Sequence, residues 1–321
     1  VIMKDTINKF KTSILALALT LAGFGAMGQT EGDYRSNATG TWDWITVANW
    51  EVYNGTSWET ATKYPGQDVE SETVTILSGA TVLLNGSEAY YRIKNLSIEG
   101  DLQLTADESV SLTAGIVLNG GTISVTSGAL TIAGSFDITS GDVDISSGAN
   151  LTIRGDFSKT GGTLTNNGTA VFSGSFNSDG SITTSVNIYI FDDSPNLGTD
   201  SFTYKDFDTA KTDGVWTTER WYSYRGIQNS NWTTPQTWTL TEDGEDSDGT
   251  GGVPAYGDIV EIVQNRNVVL SEDITTRNLT IKIESGSTLT LGTYEFTNPI
   301  AQLDGKGNIR IGKSYFPTIT T

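Results

Sequence analysis

Between residues 90 and 190 the chain alternates apolar and polar positions in short runs separated by Gly, Ser, Asn or Asp. The apolar pairs are Val110/Leu112, Ile116/Leu118, Ile123/Val125, Leu130/Ile132, Phe136/Ile138, Val143/Ile145 and Leu151/Ile153. A period of two is the strand signal, and Ser111, Thr131, Asp144 and Thr152 then point the other way. Every third pair returns at nearly constant distance. Val110 to Leu130 is 20 residues and Leu130 to Leu151 is 21; Ile116, Phe136 and Phe157 repeat those intervals, as do Ile123, Val143 and Leu164. Three short strands per turn of about 20 residues predict a right-handed parallel β-helix in an all-β chain, with inward ladders of like apolar residues. Tight corners are expected at Gly120–Gly121, Ser140–Gly141 and Gly161–Gly162.

A longer unit flanks this coil twice. Tyr34–Arg35–Ser36 aligns with Tyr224–Arg225–Gly226, and the tryptophan segment 42–50 aligns with 232–238. A proline follows each (Pro65, Pro254), then Asp68 with Val74/Ile76 or Asp258 with Val260/Ile262, and then the strands Asn95–Ile98 and Asn278–Ile281. The organisation read from this is a leader at residues 1–28, a first Trp-rich cap plus solenoid over 29–200, and a second copy over 201–321, truncated at its C-terminal end.

The leader follows from charge and length. Lys4, Lys9 and Lys11 precede an apolar run from Ile14 to Ala26, and Ala26 and Gly28 have the spacing of a signal-peptidase site. Thirteen apolar residues fall short of the roughly 20 that a spanning helix needs. The expected mature start is Gln29, outside the cytoplasm or on the outer cell surface. Removing three lysines and one aspartate takes the formal net charge from −19 to −21.

Composition then narrows the chemistry. There is no cysteine and no histidine, which excludes disulfides, thiolate or imidazole metal sites and Cys- or His-based triads. Strong negative charge repels nucleic acid.

The order Trp, Thr-Trp, Pro, Gly-Asp, apolar strand, Val-Val-Leu and Asn-Leu-Thr-Ile resembles the eight-glycine (G-eight) domain of extracellular proteins. Asn150-Leu-Thr-Ile-Arg-Gly-Asp-Phe157 and Asn167-Gly-Thr-Ala-Val-Phe-Ser-Gly174 are similar to solenoid units of Bacteroidetes surface proteins exported by the type IX route. The resemblance implies a β-helical surface protein with a role in adhesion or polysaccharide contact, and it carries over no catalytic residue. The sorting domain of type IX cargo is not present in this sequence, which reads as a fragment of a longer chain.

Two groups of residues are candidates for contact with a ligand. Trp42, Trp44, Trp58, Trp221 and Trp232 offer indole faces for sugars, and Tyr53, Tyr64, Tyr222 and Tyr224 extend them; the alternative is that these rings plug the open ends of the coils. Asp243, Glu245, Asp246 and Asp248, with Glu242, offer carboxylates for calcium, although the order does not fit an EF-hand, and a solvated acidic insertion is the other reading. Asp192–Asp193 and Asp206/Asp208 are carboxylate pairs of the kind glycosidases use, but neighbours in sequence on a strand, such as Asp192 and Asp193, face opposite sides, and neither pair is read as an acid/base couple. Two functions follow. One is a non-catalytic surface module for adhesion or glycan contact. The other is the non-catalytic carbohydrate-binding forepart of a larger secreted polysaccharide-degrading enzyme. The partner in both is an extracellular polysaccharide or surface glycan of unspecified identity, with no required cofactor and with oligomeric state open.

Overall fold

The computed structural model describes residues 29–311 apart from 38, 68–70, 87–89, 185–186, 225–227, 235–236, 241–243, 245–252, 264, 275, 277 and 298–299. The leader, Asp68, and the acidic group Asp243, Glu245, Asp246 and Asp248 lie outside the described residues.

The fold is an all-β parallel solenoid with turns of about 20 residues. Ile116, Phe136, Phe157 and Phe176 stand directly opposite one another on successive rungs, at intervals of 20, 21 and 19 residues. Val110, Leu130, Leu151 and Ala170 form a second column, and Leu102, Ile123, Val143, Leu164 and Ile182 a third. All point inward, and all are fully buried except Ile182 at its 8% exposure. The expected register therefore holds residue by residue. Fully burying each such Val, Leu, Ile or Phe contributes about 1.5–3 kcal/mol, so the ladder is the main source of stability. The aromatic column also packs ring on ring, with Phe157 5.0 Å from Phe176 and 4.7 Å from Phe172.

Strands Gly115–Val125 and Phe136–Ile145 each run through a corner and so join two faces of the coil into one sheet. At those bends Gly120 and Gly141 adopt φ of 102° and 96°, a conformation that side-chain-bearing residues rarely take.

A second, shorter coil follows. Arg220–Ser223, Ile259–Ile262, Thr280–Ile283 and Gln302–Gly305 stack in parallel on one face; Asn229–Asn231, Asn267–Val269, Thr288–Gly292 and Asn308–Ile311 stack on another. Its core is separate, built on Trp221, Trp232, Trp238, Val260, Ile281 and Leu289. Each coil begins alike. Tyr34–Ser36 pairs antiparallel with Trp50–Tyr53 and parallel with Ser71–Ile76, just as Arg220–Ser223 pairs with Trp238–Thr239 and Ile259–Ile262. Ser36 Oγ accepts the N–H of Leu77, and Ser223 Oγ accepts that of Val263. These bonds set Ser36 beside Ser223, an alignment three residues away from the one that matches Tyr34 with Tyr224.

Between the coils the short helix Phe207–Thr212, N-capped by Asp206, packs Ala210 against Val171, Tyr189, Phe191 and Trp216. Arg154, on a corner of the first coil, reaches across to Glu219 and lies 4.0 Å from Asp258.

Candidate functional site

The five tryptophans expected to offer ring faces do not share one environment. Trp44, Trp221 and Trp232 are 0%, 0% and 1% exposed, and Trp42 is 8%. A ring closed on both faces has no surface left for a sugar, so these four close the coils. Trp44 Nε1 donates to the Pro65 carbonyl at 3.0 Å, and Trp221 Nε1 donates to Asp258 Oδ2 at 2.8 Å. Burial of a large ring with its one polar tip satisfied is the usual outcome for tryptophan.

Trp58 differs. It sits on Trp58–Thr60, the outer strand of a hairpin that covers the first rung, and is half-buried. Pairing places Trp58 opposite Tyr53, and Glu51 opposite both Arg35 and Thr60. By alternation, Arg35, Glu51, Tyr53, Trp58 and Thr60 all share one side of the hairpin, turned away from Trp50 and the core. The Tyr53 and Trp58 rings lie 5.4 Å apart, tilted by 55°. The Arg35 guanidinium lies 4.3 Å from the Trp58 ring centre, and its Nε donates to Glu51 at 2.6 Å. The result is a small platform of two aromatic rings ringed by a cation, a carboxylate and hydroxyls. Asn54 at the hairpin tip is ordered by accepting the N–H groups of Thr56 and Ser57. Trp58 and Tyr53 are legible in the sequence as candidates, whereas Arg35 and Glu51 join them only through the antiparallel pairing.

The carboxylates elsewhere are occupied with structure. Asp192 is buried and accepts the N–H groups of Phe176 and Ser194, while Asp206 caps the helix through Thr209 and is held below its ordinary value by those bonds. Asp192, Asp193, Asp206 and Asp208 do line one cleft of about 680 Å³ together with Tyr204 and Tyr256. Tyr189 donates to Asp213 at 2.9 Å, and Lys205 donates to both; burial raises the Tyr189 hydroxyl above its usual range. This trio pins the helix to the last strand of the first coil.

Among the described residues, Asp258 is the carboxyl that its surroundings shift most strongly. It is wholly buried and accepts three N–H groups, from Trp221 Nε1, Ala255 and Glu219. Burial pushes it up to about 6, against the lowering pull of Arg154 and the main-chain donors. Its partners, Trp221, Ala255, Glu219 and the nearby Arg154, place it at the junction of the two coils. In the sequence Asp258 stands out only as a marker of the repeat.

Among the described residues no group of three or more Asp, Glu, His or Cys is placed to hold a metal ion, and no helix is long and apolar enough to cross a membrane. The described residues form a β-solenoid, and the chain contains no cysteine. The family model of the G8 domain matches residues 57–184, the body of the first coil, so this region is a G8-like β-solenoid domain. Neither curated proteins nor solved structures gave a match to the chain.

Proposed function

We propose that this chain is an exported or cell-surface β-solenoid module that contacts neutral glycan without turning it over. The observation that carries the reading is the outward Tyr53–Trp58 platform, two partly open rings beside the Arg35–Glu51 pair. Open aromatic faces stack on the apolar faces of sugars, and neighbouring charged groups accept and donate hydrogen bonds to sugar hydroxyls. The signal-peptide pattern at residues 1–28 supports export to a compartment where glycans are abundant. A formal net charge of −19 disfavours anionic polymers unless calcium bridges them, which is the role open to Asp243, Glu245, Asp246 and Asp248. We further read the two coils as tandem copies of one right-handed unit, supported by their identical opening pairings and by the hand that parallel crossovers take.

Retention of the full chain on a panel of neutral polysaccharides tests the reading, with Trp58→Ala and Tyr53→Ala as probes. A few stacking contacts correspond to millimolar to micromolar affinity, about −4 to −8 kcal/mol. Loss of retention in both variants at unchanged melting temperature is the expected result. Binding to none of the polymers, with and without calcium, would remove the glycan role; release of reducing ends would overturn the non-catalytic one.

A further inference from the structure

The corner of the first coil faces the leading edge of the second across a cleft of about 550 Å³, in the size range of small-molecule sites and at the lobe boundary where such sites concentrate. Its floor is a staircase of glycines. Gly134, Gly155 and Gly174 hold the same corner on three successive rungs, and a Cβ on each would fall 2.4, 2.5 and 2.4 Å from the main chain of the rung before. The close approach of the rungs therefore requires glycine here, and at these three positions the cleft is lined by backbone alone. Beside these glycines stand Ser135 and Asp156, one rung apart at about 4.8 Å. The opposite wall presents Thr233, Glu272, Asp273 and Thr276. Among the apolar members of the lining, Ala133, Trp232, Pro254 and Ile274 are buried and Val253 is half-buried, so the surface that faces the cleft is divided about evenly between carbon and the hydroxyl, carboxylate and peptide groups.

We infer that this inter-coil cleft is a subsite for a linear neutral oligosaccharide lying along the coil axis. The inference rests on the glycan reading above and adds a second contact region to the Trp58 platform. Three features favour a sugar chain over other polymers. A peptide strand needs an open strand edge, but the corner carbonyls of Ser135, Asp156 and Ser175 are already taken by Ile116, Phe136 and Phe157 of the adjacent rungs, at 2.7–2.8 Å. A peptide side chain needs an apolar pocket, whereas the apolar surface here is interleaved with hydroxyls and carboxylates, as suits a sugar with its alternating C–H and O–H groups. A phosphate backbone would meet three carboxylates, Asp156, Glu272 and Asp273, against two cations, Lys94 and Arg154, the second of which is ion-paired with Glu219. What remains is a polymer whose hydroxyls recur on a regular spacing, matched to polar groups that recur with the rungs.

The test is affinity electrophoresis of the full chain in soluble neutral β-glucan, xylan and galactomannan, backed by calorimetry with the matching oligosaccharides. Ser135→Trp fills the cleft from an exposed position, Glu272→Ala removes an exposed acceptor on the other wall, and Trp58→Ala reports the platform. The expected result is tenfold or greater weakening in Ser135→Trp and a several-fold loss in Glu272→Ala, at unchanged melting temperature. Wild-type affinity in both cleft variants, with loss only in Trp58→Ala, would overturn the cleft and leave the glycan reading standing. Binding of wild type to none of the polymers would overturn both. Should Ser135→Trp fold poorly, Glu272→Ala alone decides between the first two outcomes.

Discussion

Trp238 donates its indole N–H to the main-chain oxygen of Trp232 at 2.6 Å, with the rings 4.9 Å apart and 73° from parallel. Trp50 does the same to Trp44 at 2.7 Å in the first coil. The acceptor residue in each pair also gives its own N–H to a strand of the next rung, at Val269 and Leu83 respectively. Each pair therefore ties the returning loop to the coil through a ring that water cannot reach.

Replacing the donor should be felt out of proportion to the atoms lost. Trp238→Phe leaves the Trp232 carbonyl buried without that partner, which costs about 1–3 kcal/mol before any cavity is counted. Trp50→Phe is expected to behave alike, whereas Trp58→Ala, on the outward side of the hairpin, should stay within about 1 kcal/mol of wild type. Urea unfolding curves of the three variants, compared at equal slope, check this order.

The register makes a sharper demand. Ile132 is fully buried between Leu112 and Ile153, while Thr131 faces outward between Ser111 and Thr152. Ile132→Asp should unfold the first coil, because an unpaired carboxylate inside it costs several kcal/mol, and Thr131→Asp should be close to neutral. Circular dichroism melts of the two proteins separate these outcomes; equal losses would contradict the register.

Glycines should divide into two kinds. Gly155→Ala brings a Cβ to 2.5 Å from Gly134 and must push two rungs apart, a cost of at least about 1–3 kcal/mol. Gly148 has φ of 83° but nothing within 4 Å of an added Cβ, so alanine there meets only backbone strain of about 1–2 kcal/mol. Melting temperatures should fall for both, and hydrogen exchange should rise across rungs 129–159 only for Gly155→Ala.

Acid should strengthen the junction rather than weaken it. The buried Asp258 carboxyl, raised to about 6 from an ordinary 3.8, binds its proton more tightly folded than unfolded. Its contribution is therefore complete below about pH 4 and is lost as pH rises through 6, by an amount on the order of 3 kcal/mol. The melting temperature is expected to fall between pH 4 and 6.5, and Asp258→Asn to flatten that slope; repulsion among the other carboxylates acts in the same direction and cancels in the difference between the two proteins. A wild-type slope retained in full by Asp258→Asn would place the titration elsewhere.

Much of the coil was legible because its period-two pairs and their return interval are local, redundant signals. Even Lys159 obeys them: stepping two residues from Phe157 puts it inward beside Ile138, where it is 1% exposed and its Nζ donates to Asp179 at 2.8 Å. The rest depended on contacts that no short window contains. Trp58–Thr60 is a three-residue strand and Phe207–Thr212 a six-residue helix, both too short for periodicity to register. Tryptophan spacing marked where the coils open but carried nothing about which rings stay wet, because accessibility depends on the loop that folds over them. Arg154 looks like any polar residue at a corner just after its strand, and only the approach of Glu219 and Asp258, more than 60 positions later, gives it a purpose.

The antiparallel hairpin over the first rung has a further effect at high concentration. A parallel coil is a template for itself: an uncovered terminal strand would accept the next molecule's rung and start a filament. Here Tyr34–Ser36 is covered by Trp50–Tyr53 running the opposite way, and the outermost strand, Trp58–Thr60, is three residues long with Glu59 and Thr60 exposed. Short, charged edges resist such addition. Trp238–Thr239 stands in the same relation to Arg220–Ser223. On that face each leading end is thus terminated against growth, and the stacking that holds its rungs together within one molecule does not extend from there to the next.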